Sequence, residues 1–160
     1  MTQPLVLSEG GVADLPAVMT VMESAFEPRF GEAWTLSQCA GLLPLPGVWL
    51  TVARGDGEVL GFSLSRIVAD EAELLLLAVK PQVQRSGVGK SLLSQFERSA
   101  TGRGARRLHL EVRDGNHAVN LYQSSGFTLA GRRRRYYNGG DGQLYDALSL
   151  SRPVTIPQDQ

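Results

Sequence analysis

The sequence predicts one α/β domain: a central mixed, mostly antiparallel sheet flanked by helices on both faces. Three observations predict it. The 160 residues are 42% hydrophobic, enough for a single sizeable core. After a short strand and two helices, strand-like segments follow in a run and then alternate with helical ones, the order of an antiparallel meander feeding a β-α-β-α unit. Finally, Leu74-Leu75-Leu76-Leu77 is apolar at every position, as in a central strand covered from above and below.

In chain order, Leu5-Val6-Leu7 reads as a short strand. Asp14 then suits an N-cap, with Pro16 in the first helical turn, and Val18, Met19, Met22 and Phe26 recur at the spacing of a core-facing helix. Pro28 and Gly31 break that helix. Thr35 can cap a second one reaching about Leu43, and Pro44-Leu45-Pro46-Gly47 stops it. Trp49 to Arg54 and Val59 to Val68 flank Asp56-Gly57, a strong hairpin signal, and Ala72 to Val79 is the third strand of the run. A helix from about Val88 to Ala100, a strand from Arg106 to Val112, a helix from His117 to Ser124, and strands from Phe127 to Tyr136 and Leu144 to Leu150 follow. The domain is expected over residues 1–152. A loose polar tail with two prolines is expected over 153–160.

Composition excludes several function classes. Sixteen basic and sixteen acidic side chains cancel, which argues against direct binding to nucleic acid or anionic membranes. No apolar run approaches the ~20 residues that span a bilayer, and no basic segment precedes an apolar N-terminal stretch, so a cytoplasmic protein is expected. The one cysteine, Cys39, has no internal disulfide partner and sits among apolar helix positions, where burial is expected. No Cys/His cluster offers a metal site.

The first chemical signal is the segment Gln84-Arg85-Ser86-Gly87-Val88-Gly89-Lys90 between the apolar strand and a helix. Glycines there allow a tight turn, and a helix N-terminus adds free N–H donors and a favourable dipole, so a phosphate or pyrophosphate is the natural ligand. A P-loop would need a glycine where Gln84 stands. A dinucleotide fingerprint would need one at Leu92. The second signal is a carboxylate in a core-building strand. Alternation puts Leu108, Leu110 and Val112 on one face and Arg107, His109 and Glu111 on the other, so Glu111 is either a solvated residue or a base lining a cleft.

The spacing Q-x-x-G-x-G after a strand ending in Ala78-Val79 resembles the acetyl-CoA loop of the GCN5-related N-acetyltransferases (GNAT). Leu110-Glu111-Val112-Arg113, Asn116 and Leu121-Tyr122-Gln123-Ser124-Ser125-Gly126-Phe127 resemble, within that superfamily, the group that acetylates ribosomal-protein alanine N-termini. So do Arg134-Arg135-Tyr136-Tyr137, Asp141-Gly142, Asp146-Ala147 and Glu32-Ala33-Trp34-Thr35. The resemblance runs from about Asp14 to Leu150 and implies the GNAT fold, with acetyl-CoA as co-substrate and no metal. It implies that Leu77, Ala78 and Val79 face the pantetheine arm, and that Arg85, Ser86, Gly87, Val88, Gly89 and Lys90 cradle the pyrophosphate. It makes Glu111 the general base, Tyr122 the general acid, and Asn116 a cofactor contact. The interval from Glu111 to Tyr122 is one residue shorter than the usual pattern, the difference falling at the start of the following helix.

The implied acceptor is the N-terminal alanine of a small-subunit ribosomal protein, reached by a monomer or weak dimer. An acetyltransferase for a small amine or a lysine side chain, and a binding module that keeps the cradle without turnover, remain open alternatives. Arg132 to Arg135 is expected to be a solvated strand, with a docking surface for a basic-averse substrate or a CoA phosphate as the minor reading. His109 and His117 lack ligand partners and are expected to be solvated or structural. Tyr136 and Tyr137 either shape the acceptor groove or pack the sheet.

Overall fold

The computed structural model describes residues 4–154. Its seven strands are β1 (Val6–Gly10), β2 (Val48–Gly55), β3 (Glu58–Val68), β4 (Glu71–Val79), β5 (Arg107–Arg113), β6 (Thr128–Asn138) and β7 (Leu144–Pro153). The helices are α1 (Leu15–Ala25), α2 (Leu36–Leu42), α3 (Val88–Gly102) and α4 (Ala118–Ser124). The strands form one sheet in the order β1-β2-β3-β4-β5-β7-β6, antiparallel throughout except for β4 beside β5. The α3 crossover accounts for that parallel pair, because parallel neighbours need a long connection.

Alternation on the strands gives each face its own helices. On one face Leu15, Val18, Val21 and Met22 of α1 and Cys39 of α2 pack on Leu50, Val52, Phe62 and Leu64. On the other, Leu93, Phe96 and Ala100 of α3 and Tyr122 of α4 pack on Trp49, Ala72, Leu74, Leu108 and Leu110. Gly61 of β3 permits the close seat of α3: a Cβ there would lie 2.9 Å from Ala78 O and 3.1 Å from Leu92 Cδ1. Among the described residues no helix is long and apolar enough to cross a membrane.

Local signals in the sequence translate directly into structure. Thr35 caps α2 in a capping box, its hydroxyl accepting from the Gln38 N–H at 3.1 Å while the Gln38 side chain accepts from the Thr35 N–H at 2.7 Å. Asp56 and Gly57 make the β2–β3 turn, both with positive φ (53° and 78°), as a type I′ hairpin requires. Cys39 is buried. Asp14 differs from its expected role. It stands at the N-cap of α1 without capping it, because its carboxylate accepts from the Gly11 N–H at 2.8 Å and pairs with Arg54 at 2.6 Å. Met19 and Phe26 are half-buried, at the margin of the α1 core. The C-terminal boundary also moves. β7 includes Pro153, and Val154 donates its N–H to Arg106 O at 2.8 Å and is buried, so both belong to the fold. The rest of the expected tail lies outside the described residues.

The site is positioned by the way β4 and β5 separate. They pair only from Glu71–Leu74 to Arg107–Leu110. At that point β4 carries a bulge: Ser65 pairs with Leu74 and Leu64 with Leu76, leaving Leu75 as an extra residue. Beyond it, β4 pairs with β3 alone as far as Val79, and its other edge opens.

Candidate active site

The anion loop follows that open edge. After a 3-10 turn at Pro81–Val83, the Gln84 side chain donates to Val79 O at 3.2 Å and ties the loop to the strand end. Arg85 (φ 66°) and Gly87 (φ 92°) turn the backbone through the left-handed region, and α3 begins at Val88. Ser91 N–H closes on Gly87 O at 3.0 Å, so the N–H groups of Val88, Gly89 and Lys90 are first-turn donors without intrahelical partners. Val88 anchors the turn in the core, Gly89 packs at its edge, and Arg85, Ser86, Gly87 and Lys90 are exposed. These residues fit a pyrophosphate group, and the unpaired edge of β4 at Leu77, Ala78 and Val79 lies beside them for an amide-bearing arm.

A cleft of about 100 Å³ opens where β4 and β5 part, and Glu111 and Tyr122 both line it, with Leu75, Leu76 and Leu77 on the β4 side. Glu111 projects from β5 on the α1 side of the sheet, opposite buried Leu110 and Val112, with its side chain 16% exposed. One carboxylate oxygen pairs with Arg133 Nε at 3.0 Å, and the other accepts from the Ser149 hydroxyl at 3.1 Å. Tyr122 is buried on α4, its ring edge-to-face with Phe127. Burial pushes its hydroxyl far above the usual tyrosine range and the nearby Glu32 carboxylate adds to the shift, so it holds its proton throughout the physiological range.

Asn116 is placed differently from a free cofactor contact. Its amide donates to Glu32 at 2.7 Å, and its carbonyl accepts the Ala118 N–H at 2.8 Å, so its side chain starts α4. Glu32 also pairs with Arg113 at 2.9 Å, and both of these side chains are nearly buried, at 8% and 12% exposed. Arg113 lies over the Phe30 ring at 3.6 Å. No local pattern signals this network, because Glu32 reaches Arg113 and Asn116 from more than eighty residues away.

The segment carrying Glu32 is clasped by the β6–β7 turn. Gly140 N–H donates to Pro28 O at 3.1 Å, and Gly31 (φ 69°) comes so close to the Asn138 carbonyl that a Cβ would lie 2.1 Å from that oxygen. Tyr136 and Tyr137 from β6 and Trp34 from before α2 also line the cleft. Tyr137 is driven upward chiefly by burial, with the Glu32 carboxylate next. The arginine run is the exposed strand expected of it, and two of its members also make ion pairs. Arg132 pairs with Asp114 at 2.7 Å and Asp146 at 3.0 Å, while Arg133 reaches Glu111. A bulge between Arg133 and Tyr137, with Arg135 at φ 56° and its N–H on Asp146, breaks the alternation that made the run look featureless. His109 lines a shallow polar hollow with Arg66 and Glu73, and His117 is exposed.

Comparison with known proteins agrees with this arrangement. The model of the acetyltransferase (GNAT) family matches residues 15–127. The [ribosomal protein bS18]-alanine N-acetyltransferase of Escherichia coli K12 is 39% identical over 102 residues, covering 63% of this chain and 68% of that one. Its counterpart in Haemophilus ducreyi is 30% identical over 142 residues, covering 82% and 98%. The crystal structure of the ribosomal-protein-S18-alanine N-acetyltransferase from Escherichia coli superimposes with a TM-score of 0.85 at 30% identity, over 98% of this chain and 97% of that one. Since the matched span holds the anion loop as well as the stretch from Glu111 to Tyr122, the chain belongs to the GNAT family and is an N-acetyltransferase.

Proposed function

We propose that this enzyme moves an acetyl group from acetyl-CoA to the N-terminal α-amine of a ribosomal protein, the alanine of bS18, with Glu111 as base and Tyr122 as acid. The observation that carries the mechanism is the cleft itself, which brings a strand carboxylate and a buried, protonated tyrosine to the place where β4 leaves β5. The acceptor is supported by the names of the relatives. Zero net charge fits a short peptide end as partner, without direct contact to nucleic acid. The reading places the enzyme in the cytoplasm.

Acetyl-CoA, when bound, supplies the acetyl thioester. The N–H groups of Val88, Gly89 and Lys90, with Arg85, Ser86 and Gly87, would hold its pyrophosphate, and the open edge at Leu77, Ala78 and Val79 its pantetheine arm. An α-amine has a pKa of about 7.7–8.0, so most of it is protonated and unreactive at neutral pH. Glu111, directly or through one water, takes that proton and frees the lone pair for the carbonyl carbon. A backbone N–H on the free edge of β4 steadies the oxygen as negative charge grows on it. Tyr122 gives its proton to the departing sulfur. Asn116 acts on the site by fixing the start of α4 through Glu32 and Ala118; one amide hydrogen and one lone pair remain to it for the cofactor.

The test is CoA release from acetyl-CoA with two peptides: one bearing the free bS18 N-terminus, the other N-blocked with an internal lysine. Release with the first alone is the expected result. Release with the blocked peptide alone would make the enzyme a lysine acetyltransferase, and release with neither, while acetyl-CoA still binds, would make it a binding module.

A further inference from the structure

Glu111 does not stand free in the structure. Its two oxygens are held by partners of different kinds. Ser149 lies directly across from it in the β5–β7 ladder and donates a hydroxyl hydrogen bond from within the sheet. Arg133 comes from β6, is 61% exposed, and makes a single contact through Nε. Its guanidinium otherwise lies 5.4 Å from the centre of the Tyr136 ring, itself about half exposed at the cleft. With its guanidinium largely in solvent and only one contact, the arginine end of this pair is readily exchanged, while Glu111 is 16% exposed and stays in place. The contact that Arg133 makes is nevertheless the one the acceptor needs, because the arriving ammonium must put an N–H on the same carboxylate.

We propose that Arg133 is a displaceable stand-in for the acceptor ammonium, a positioning residue that occupies Glu111 until the acceptor arrives and so makes the enzyme select an amine over water. The proposal rests on Glu111 being the base. A free carboxylate beside a bound thioester would also activate water. Glu111 would take a proton from water, the water oxygen would bond to the acetyl carbon, the carbon–sulfur bond would break, and Tyr122 would protonate the sulfur, giving acetate and CoA. With Arg133 on the carboxylate, its negative charge is partly neutralised and that oxygen is a weaker base toward water. An acceptor ammonium displaces Arg133 toward Tyr136 and solvent, while Ser149 keeps the carboxylate aimed. The β6 register supports this division of labour: Gly131 pairs with Ser149, which pairs with Glu111, so alternation puts Arg133 on the Glu111 face and sends its neighbour Arg132 to the other, onto Asp114 and Asp146.

The experiment compares the parent enzyme with Arg133→Met and Arg133→Lys, reading CoA release from acetyl-CoA alone and then with increasing peptide bearing the bS18 N-terminus. For Arg133→Met the expected result is a rise of threefold or more in acceptor-free hydrolysis, with kcat/KM for the peptide rising several-fold through a lower KM. Arg133→Lys, which keeps a cation, is expected to stay close to the parent in both. A tenfold fall in kcat for Arg133→Met with hydrolysis and KM unmoved would overturn the proposal and leave Arg133 as a fixed support of the base. Adding Glu111→Gln separates the two readings. The double variant should lose the extra hydrolysis, whereas full peptide acetylation by Glu111→Gln alone would remove Glu111 as the base whatever Arg133 does.

Discussion

Glu111 and Tyr122 are side chains of opposite surroundings, and their roles follow from that difference. Glu111 is a partly exposed carboxylate with one hydrogen-bonded partner and one ion-pair partner, and Tyr122 is a buried phenol whose proton is held by its apolar setting. Glu111→Gln and Tyr122→Phe are each expected to cut kcat by about 10²-fold or more while acetyl-CoA binding, measured by calorimetry, survives. The pH profile gives an independent check. Because Tyr122 titrates well above the ordinary 10, the rate should rise as the acceptor amine loses its proton near pH 8 and then stay level to about pH 10. A fall between pH 8.5 and 10 in the parent that vanishes in Tyr122→Phe would contradict that assignment. At this scale the sequence was informative about residue type and face, since alternation alone sends Glu111 away from Leu110 and Val112. It said nothing of Arg133 or Ser149, which meet Glu111 only through the β5–β7–β6 pairing.

Elements whose signals are local could be read directly: the capping box at Thr35, the Asp56-Gly57 turn and the glycine loop opening α3 all lie within a few residues of what they organise. Thr35→Ala is expected to lower stability by about 1 kcal/mol in chemical denaturation, with activity retained. Features that depend on two distant elements meeting were hidden, and the clasp between the Pro28–Glu32 segment and the β6–β7 turn is the clearest of them. A glycine before a helix looks like a plain breaker. Only the structure shows that Gly31 lies under the Asn138 carbonyl with a left-handed φ. Gly31→Ala should therefore cost about 1–3 kcal/mol and push Glu32 out of place. The peptide KM is then expected to rise while the acetyl-CoA Kd does not. Equal damage to both would show that the clasp serves the whole fold and not the acceptor side.

At the scale of the whole molecule, charge neutrality conceals charges that are individually well placed. Asp14 is held below the usual carboxylate range, first by the Gly11 N–H and then by Arg54. Its folded value is lower than its unfolded one, so its contribution is present above about pH 4 and is lost as pH falls toward the folded value. Asp141 and Asp146 are lowered as well, by Tyr145 and by the Arg135 N–H respectively. Stability is expected to drop between about pH 5 and 3. In Asp14→Asn, weaker at pH 7, the drop should be shallower when unfolding is followed in urea at each pH.

The bulge at Leu75 has a consequence of parity. In an unbroken strand Ala72, Leu74, Leu76 and Ala78 would all point the same way. Here Ala72 and Leu74 enter the α3 core, while Leu76 and Ala78 enter the α1 core, so one strand changes allegiance halfway along its length. The apolar run of four leucines conceals that switch, because leucine suits either side. A deletion of Leu75 would take away only a half-buried side chain, yet it would put Leu76 and Ala78 out of phase with the helix they serve. The site is thus encoded partly as a count of residues. A leucine can be exchanged for another apolar side chain there more safely than it can be omitted.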